Sequence, residues 1–300
     1  MAEVLPAVEL MEPSTPSAPG DGFLVPLDGS AFARAALAVA GPLAGRLGAA
    51  IHLLGVVGHD EDARDCEAAL AAAAPPAAQV SRSVVVSDDP AGTILQARDR
   101  WSGAVVCMGT HGRDRSRHQV GAVAREVLAR STEPVMLACS LVDPVPDGEG
   151  VLACVDGGPS SGSIVAVAVA WAERLGDVAT VVTVAARPDE PARGVDGLLP
   201  SEAEDALDAL ARPARAQGHH LRTLVLHDPV GPSCGLHRHL CRHPARLVVA
   251  GARTRPGLAR LVLGTVAGDL VRHSPSPVLV VPGAGRGTAP APPATGGAGS

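Results

Sequence analysis

The stretch Phe23-Leu24-Val25-Pro26-Leu27-Asp28-Gly29-Ser30 is echoed 128 residues later by Val151-Leu152-Ala153-Cys154-Val155-Asp156, and the organisation of the chain follows from that echo. After each stretch comes a helix-like segment and a second apolar run. That run is Ile51-His52-Leu53-Leu54-Gly55-Val56-Val57 in one copy and Val178-Ala179-Thr180-Val181-Val182-Thr183-Val184 in the other. Further on, Ala104-Val105-Val106-Cys107-Met108-Gly109 matches Leu247-Val248-Val249-Ala250-Gly251, and Pro134-Val135-Met136-Leu137-Ala138 matches Pro277-Val278-Leu279-Val280-Val281. The offset is 128 at Asp28/Asp156, 142 at Gly109/Gly251 and 143 at Pro134/Pro277, so the second copy gains most of its extra length in its middle. Self-similarity of this kind marks two copies of one structural unit.

Short Val- and Leu-rich runs alternating with helical patterns indicate strands buried on both faces of a parallel sheet. Each copy reads β-α-β-α-β-α-β-α-β. The expected fold class is α/β: two tandem doubly wound domains, each an open five-stranded parallel sheet with helices on both faces. The first helix of the second copy shows its period in Ile164, Ala168, Trp171, Ala172 and Leu175; its counterpart has Ala36, Leu37, Ala40, Leu43 and Leu47. Pro42 is expected to kink or interrupt that counterpart. The expected organisation is a disordered tail over 1–20, a first domain over 21–142, a short stiff linker over 143–149, a second domain over 150–283 and a disordered tail over 284–300.

Composition narrows the function. There are 300 residues, enough for two ordinary cores. Tyr is absent, Phe and Trp number two each, and all 25 basic residues are Arg. The absence of Lys excludes a Lys-based phosphate loop and any catalytic lysine. A net charge of −6 with almost no aromatic rings argues against nucleic-acid binding. No run is long and apolar enough to span a membrane, and no leader pattern opens the chain, so a soluble cytoplasmic protein is expected. Cys107, Cys139 and Cys154 lie in apolar strand-like runs, as reduced core thiols do.

In an open α/β sheet the ligand crevice lies beyond the carboxyl ends of the strands, where strand order reverses. Three elements of each copy converge there: the Asp that ends the first strand (Asp28, Asp156), the Val that ends the second (Val56, Val184), and a Gly-rich loop after the fourth strand that leads into a helix. Glycines admit close backbone approach, and the unpaired N–H groups at a helix start favour an anion.

At this loop the sequence becomes specific. Met108-Gly109-Thr110-His111-Gly112-Arg113 and Gly264-Thr265-Val266-Ala267, with the Asp28-Gly29-Ser30 start and the Ser-Pro-Ser-Pro-Val-Leu-Val-Val end at 274–281, resemble universal stress protein sequences from residue 22 to 283. The resemblance implies an adenine nucleotide α-hydrolase-like fold, and ATP-binding members carry Gly-x-x-Gly, nine residues, then Gly-Ser or Gly-Thr. The first copy has Gly109 and Gly112, but eight residues separate Gly112 from Gly121, and Ala122 replaces the hydroxyl residue. The second keeps nine residues before Gly264-Thr265, but Thr254 stands where the second Gly is expected. In a left-handed backbone a β-branched Thr would cost on the order of 1–2 kcal/mol.

What the resemblance implies for the site is as follows. Asp28 and Asp156 would accept a hydrogen bond from adenine, while Val56 and Val184 would line the base. Backbone amides of Gly109, Gly112 and Gly121, and of Gly251, Gly264 and Thr265, would hold ribose or phosphates of ATP, with or without Mg2+. Arg113, Arg115, Arg253 and Arg255 either add charge or form a solvated face, and Asp28 and Asp156 either meet the base or cap the following helix. The final strands, 134–139 and 277–281, would pair edge to edge, so that one chain is an intramolecular pseudo-dimer; a further homodimer stays open.

Other constellations compete less well. Cys234, His237 and Cys241 fall near one helical face, with His239 and His243 on another, and these ligand types suit zinc. No known zinc spacing matches, and a helix with a polar His-rich surface is the expectation. Gly158-Pro159-Ser160-Ser161-Gly162 fits a nucleophile-elbow pattern but equally a helix start. Gly283-Ala284-Gly285-Arg286-Gly287 opens no helix, so a dinucleotide fingerprint is not expected. The expectation is therefore a stress-response module that binds ATP or another adenine nucleotide in at least one domain and is not an enzyme. The alternative is a scaffold acting through protein contacts.

Overall fold

The computed structural model describes residues 22–30, 33–75, 79–101, 104–110, 120–139, 148–185, 200–254 and 261–282. The expected tails, most of the expected linker and the glycines at 283–287 lie outside the described residues. The first copy runs β1 (Gly22–Pro26), α1 (Arg34–Leu47), β2 (Ala50–Val57), a 3-10 turn at Asp60–Asp62, α2 (Ala63–Ala73), β3 (Val80–Val86), α3 (Pro90–Arg100), β4 (Ala104–Gly109), α4 (Ala122–Arg130) and β5 (Val135–Ala138). The second runs β6 (Val151–Cys154), α5 (Ser161–Leu175), β7 (Ala179–Ala185), α6 (Pro200–Ala216), β8 (Leu221–His227), α7 (Pro232–Arg242), β9 (Leu247–Gly251), a small pair β10 (Arg253–Thr254) and β11 (Leu261–Val262), α8 (Thr265–His273) and β12 (Val278–Val281).

All but β10 and β11 form one ten-stranded sheet in the order β3-β2-β1-β4-β5-β12-β9-β6-β7-β8. Within each copy the pairings are parallel. The copies join at an antiparallel pair, with Val278 opposite Leu137 and Val280 opposite Val135. Strand order reverses between β1 and β4 in one copy and between β6 and β9 in the other.

The alternation of strand side chains divides the interior into two layers. Phe23, Val25, Ile51, Leu53, Val151, Ala153, Val249 and Leu279 face α1, α2, α5 and α6, while Leu24, Val106, Leu137, Leu152, Val248 and Val280 face α3, α4, α7 and α8. Each layer draws residues from both copies, so the core is continuous across the seam. Phe23 and Trp171, one ring from each copy, approach to 6.3 Å between centroids. Arg46 Nε donates to the Leu175 carbonyl at 2.8 Å, satisfying one of the carbonyls left unpaired at the end of α5. Cys139 Sγ donates to the Arg272 carbonyl at 2.8 Å on the other layer.

Of the two outcomes expected at Pro42, interruption does not occur: α1 runs unbroken from Arg34 to Leu47. It is exposed, and so is Ala38, whose carbonyl loses its partner; water can take that bond, while Val39, Ala40, Leu43 and Ala44 anchor the opposite face. The predicted stripe on α5 is buried at Ile164, Ala168, Trp171, Ala172 and Leu175. Cys107, Cys139 and Cys154 are buried free thiols, and burial pushes the thiols of Cys107 and Cys154 up to about 12.

Candidate functional site

Two residues beyond β1, Asp28 folds back on its own loop. Its Oδ1 accepts the Ser30 N–H at 2.9 Å. Asp156 does the same beyond β6, accepting the Gly158 N–H at 2.9 Å. Both are Asx turns, and in each the next residue is a glycine with positive φ, Gly29 at 78° and Gly157 at 73°. Helix α1 opens at Ala33, whose N–H is held by Ser30 Oγ at 3.1 Å, and α5 opens at Ser160. The turn bond holds each carboxylate at the carboxyl edge of its first strand. Asp28 is half-buried and Asp156 exposed.

Val56 and Val184 occupy matching places one residue before the ends of β2 and β7, half-buried against the α3/α4/α7/α8 layer. Gly235 of α7 lets that helix approach: a Cβ there would lie 3.2 Å from Val184 Cγ1. Just past β2, Asp60, Glu61 and Asp62 stand exposed and disfavour a bare polyphosphate at that rim.

The loops after β4 and β9 differ. In the first copy, buried Thr110 donates its N–H to the Ala138 carbonyl at 2.9 Å and accepts the Gly121 N–H at 2.8 Å. That bond draws the neck of the loop closed, and Gly121 then opens α4 with exposed Ala122 as its first residue. The Gly121 amide assigned to a phosphate by resemblance is thus engaged within the protein. Gly112, Arg113 and Arg115 lie outside the described residues.

In the second copy, Ala252 repeats the Thr110 bond, donating to the Val281 carbonyl at 2.9 Å. Beyond it β10 and β11 pair antiparallel, with Arg253 opposite Val262 and Thr254 opposite Leu261. Thr254 therefore has strand backbone, where a β-branched residue is at home, and the left-handed penalty does not arise. A Cβ at Gly251 would lie 2.8 Å from Ile164 Cδ1, so the end of that side chain would have to shift to admit one. Gly264 caps α8, and Thr265, its first residue, is exposed. Thr265 thus offers a hydroxyl and an unpaired helix-start amide on one residue. β11 lies against α4 of the first copy, so this loop is braced by the other domain. Arg255 lies outside the described residues.

On α7, Cys241 Sγ and His237 Nε2 are 3.5 Å apart, and the rings of His239 and His243 are 5.1 Å apart between centroids. Cys234 is exposed on the same helix, but among the described residues no three His, Cys, Asp or Glu side chains are gathered as a metal cage. Among the described residues, no helix is long and apolar enough to cross a membrane.

Sequence reasoning missed His52. It is buried on β2, its Nδ1 2.8 Å from Ser81 Oγ and its Nε2 2.8 Å from Ser83 Oγ, with Trp101 4.6 Å away between centroids. Desolvation lowers its pKa to about 4, so the ring is neutral. Its alternation with inward-facing Ile51 and Leu53 was the available signal.

A profile of the universal stress protein family matches residues 22–138 and again 149–282. No curated protein matches the chain by sequence. Among solved structures, a universal stress protein from Archaeoglobus fulgidus DSM 4304 is similar, with 18% identity, a TM-score of 0.62, and coverage of 87% of this chain and 98% of that one. A putative universal stress protein from Pseudomonas aeruginosa UCBPP-PA14 is also similar, with 18% identity, a TM-score of 0.58, and coverage of 87% and 93%. At these identities the likeness carries the fold, and the family follows from the double profile match over most of the sequence. The chain belongs to the universal stress protein family, as a tandem of two such domains.

Proposed function

We propose that this tandem protein binds ATP or another adenine nucleotide, with or without Mg2+, in at least one domain and acts as a stress-response module by binding and not by turnover. The observation that carries this reading is a juxtaposition in the second copy. The Asp156 turn and the Gly264-Thr265 opening of α8 follow β6 and β9, neighbouring strands on either side of the point where strand order reverses. An acceptor for the base, an apolar Val184 wall and a helix N-terminus with a hydroxyl for phosphate are the parts such a site requires. The antiparallel β5–β12 pair supports reading one chain, with domains over 21–142 and 150–283, as an intramolecular pseudo-dimer. Buried reduced thiols suit the cytoplasm.

A calorimetric titration of the full chain with Mg-ATP tests this. Saturable heat that disappears at one site in Asp156→Ala is the expected result; identical titrations for wild type and an Asp28→Ala/Asp156→Ala double variant would sink the assignment. A second reading has its own support. The Thr110–Gly121 bond ties up one phosphate-facing amide, and the β10–β11 pair is braced on α4, as in a scaffold that works through protein contacts.

A further inference from the structure

Three of the eleven histidines and two of the six cysteines fall between Cys234 and His243, in one helix of one copy and its C-cap. Helix α7 corresponds to α3 at the same offset of 142 that relates Gly251 to Gly109, and α3 has Leu95 and Asp99 where α7 has His237 and Cys241. The cluster is therefore a property of the second domain and not of the shared unit. Packing does not require it. Leu236 and Leu240 hold α7 on the sheet, while His237 and Cys241 are exposed.

The two exposed side chains are four residues apart and meet: Cys241 Sγ lies 3.5 Å from His237 Nε2. A thiol–imidazole hydrogen bond has this length. So does one edge of a tetrahedral metal site, because ligands at about 2.0 Å (Zn–N) and about 2.3 Å (Zn–S) lie about 3.5 Å apart. The charge beside the pair is already directed away: Arg238 holds Asp228 Oδ2 at 3.0 Å, and the Asp228 side chain is 1% exposed. A cation at the pair thus meets a guanidinium whose charge is paired.

We propose that His237 and Cys241 form a two-ligand chelate on the surface of α7 for a thiolate- and imidazole-binding divalent ion of the zinc class, with its remaining positions open to water or an outside ligand. Binding displaces the thiol proton to solvent and leaves a thiolate and a neutral imidazole on the ion. The proposal is independent of the nucleotide reading, since α7 binds the ion without ATP.

Cobalt(II) tests it, because a thiolate ligand gives Co2+ a near-ultraviolet charge-transfer band that imidazole or carboxylate ligands alone do not. The metal-free full chain, kept reduced and titrated with Co2+, should develop the band and lose it when equimolar Zn2+ is added. Cys241→Ser should abolish the band and His237→Ala should weaken Co2+ binding, whereas Cys234→Ser should keep it. All three positions are exposed, and an unchanged thermal midpoint confirms that each variant is folded. No band in the wild type, or a band that survives Cys241→Ser, overturns the proposal.

Discussion

The turns after β1 and β6 are built alike, and the loops after β4 and β9 are not. Asp28 and Asp156 each accept an N–H two residues on at 2.9 Å, and each is followed by a glycine with positive φ. The later loops begin alike, with the Thr110 and Ala252 amides bound to the neighbouring strand. Among the described residues they then diverge, with a Thr110–Gly121 bond in one and the β10–β11 pair in the other. A turn closed by its own side chain needs two residues and a glycine, so it survives any change elsewhere. A long loop takes its shape from what it rests on, and in the second copy β11 rests on α4 of the first.

The comparison is broken most severely at the seam. Trp171→Ala removes the ring that meets Phe23 across the copies and should cost about 3–5 kcal/mol. Urea unfolding followed by far-ultraviolet circular dichroism should keep a single transition at lower denaturant, because both apolar layers are shared. Two separated transitions would show that the copies unfold independently.

Acid sharpens it next. His52 has Thr180 as its counterpart, so only the first copy carries a buried neutral imidazole. Its pKa is about 4 when folded against 6.5 for the free group. Between those values the unfolded chain binds more protons, so stability is full above about pH 6.5 and declines by up to about 3 kcal/mol as pH falls towards 4. His52→Gln, whose amide can still serve Ser81 and Ser83, should remove that slope; an unchanged slope would place its origin elsewhere.

A smaller effect is expected at the turns. Asp28→Ala should cost about 1 kcal/mol through the lost turn bond, and Asp156→Ala less, since it is exposed. Equal midpoints for Asp28→Ala and wild type would mean that the turn stands without its carboxylate. The smallest change is expected from Asp89→Ala at the start of α3. The Gly92 N–H, followed by the Arg130 guanidinium, holds the Asp89 carboxyl below the usual carboxylate range. Its stabilisation is present above the ordinary carboxylate pKa and is lost as pH falls through the lowered one, so the variant should flatten only the acid limb of the stability curve.

Much of this was legible in the sequence because it depends on local pattern. Strands buried on both faces must be continuous Val and Leu runs, and the stripe through Ile164, Ala168, Trp171, Ala172 and Leu175 fixes a helix and its buried face. What was not legible depends on partners distant in sequence. Pro42 stays in its helix because Val39, Ala40, Leu43 and Ala44 pack behind it. Thr254 is a strand residue because Leu261 lies opposite. The Gly121 amide is engaged because Thr110 presents its carbonyl, and His52 is neutral because burial desolvates it. The candidate site was legible as a set of positions, but not in which of its amides remain open.

The most direct test of the central claim is native mass spectrometry of the full chain with and without saturating Mg-ATP, for wild type and for Asp156→Ala. At least one ATP-sized increment per chain in the wild type, and one fewer in the variant, is the predicted result. No increment in the wild type would contradict the nucleotide reading and leave a tandem universal stress scaffold.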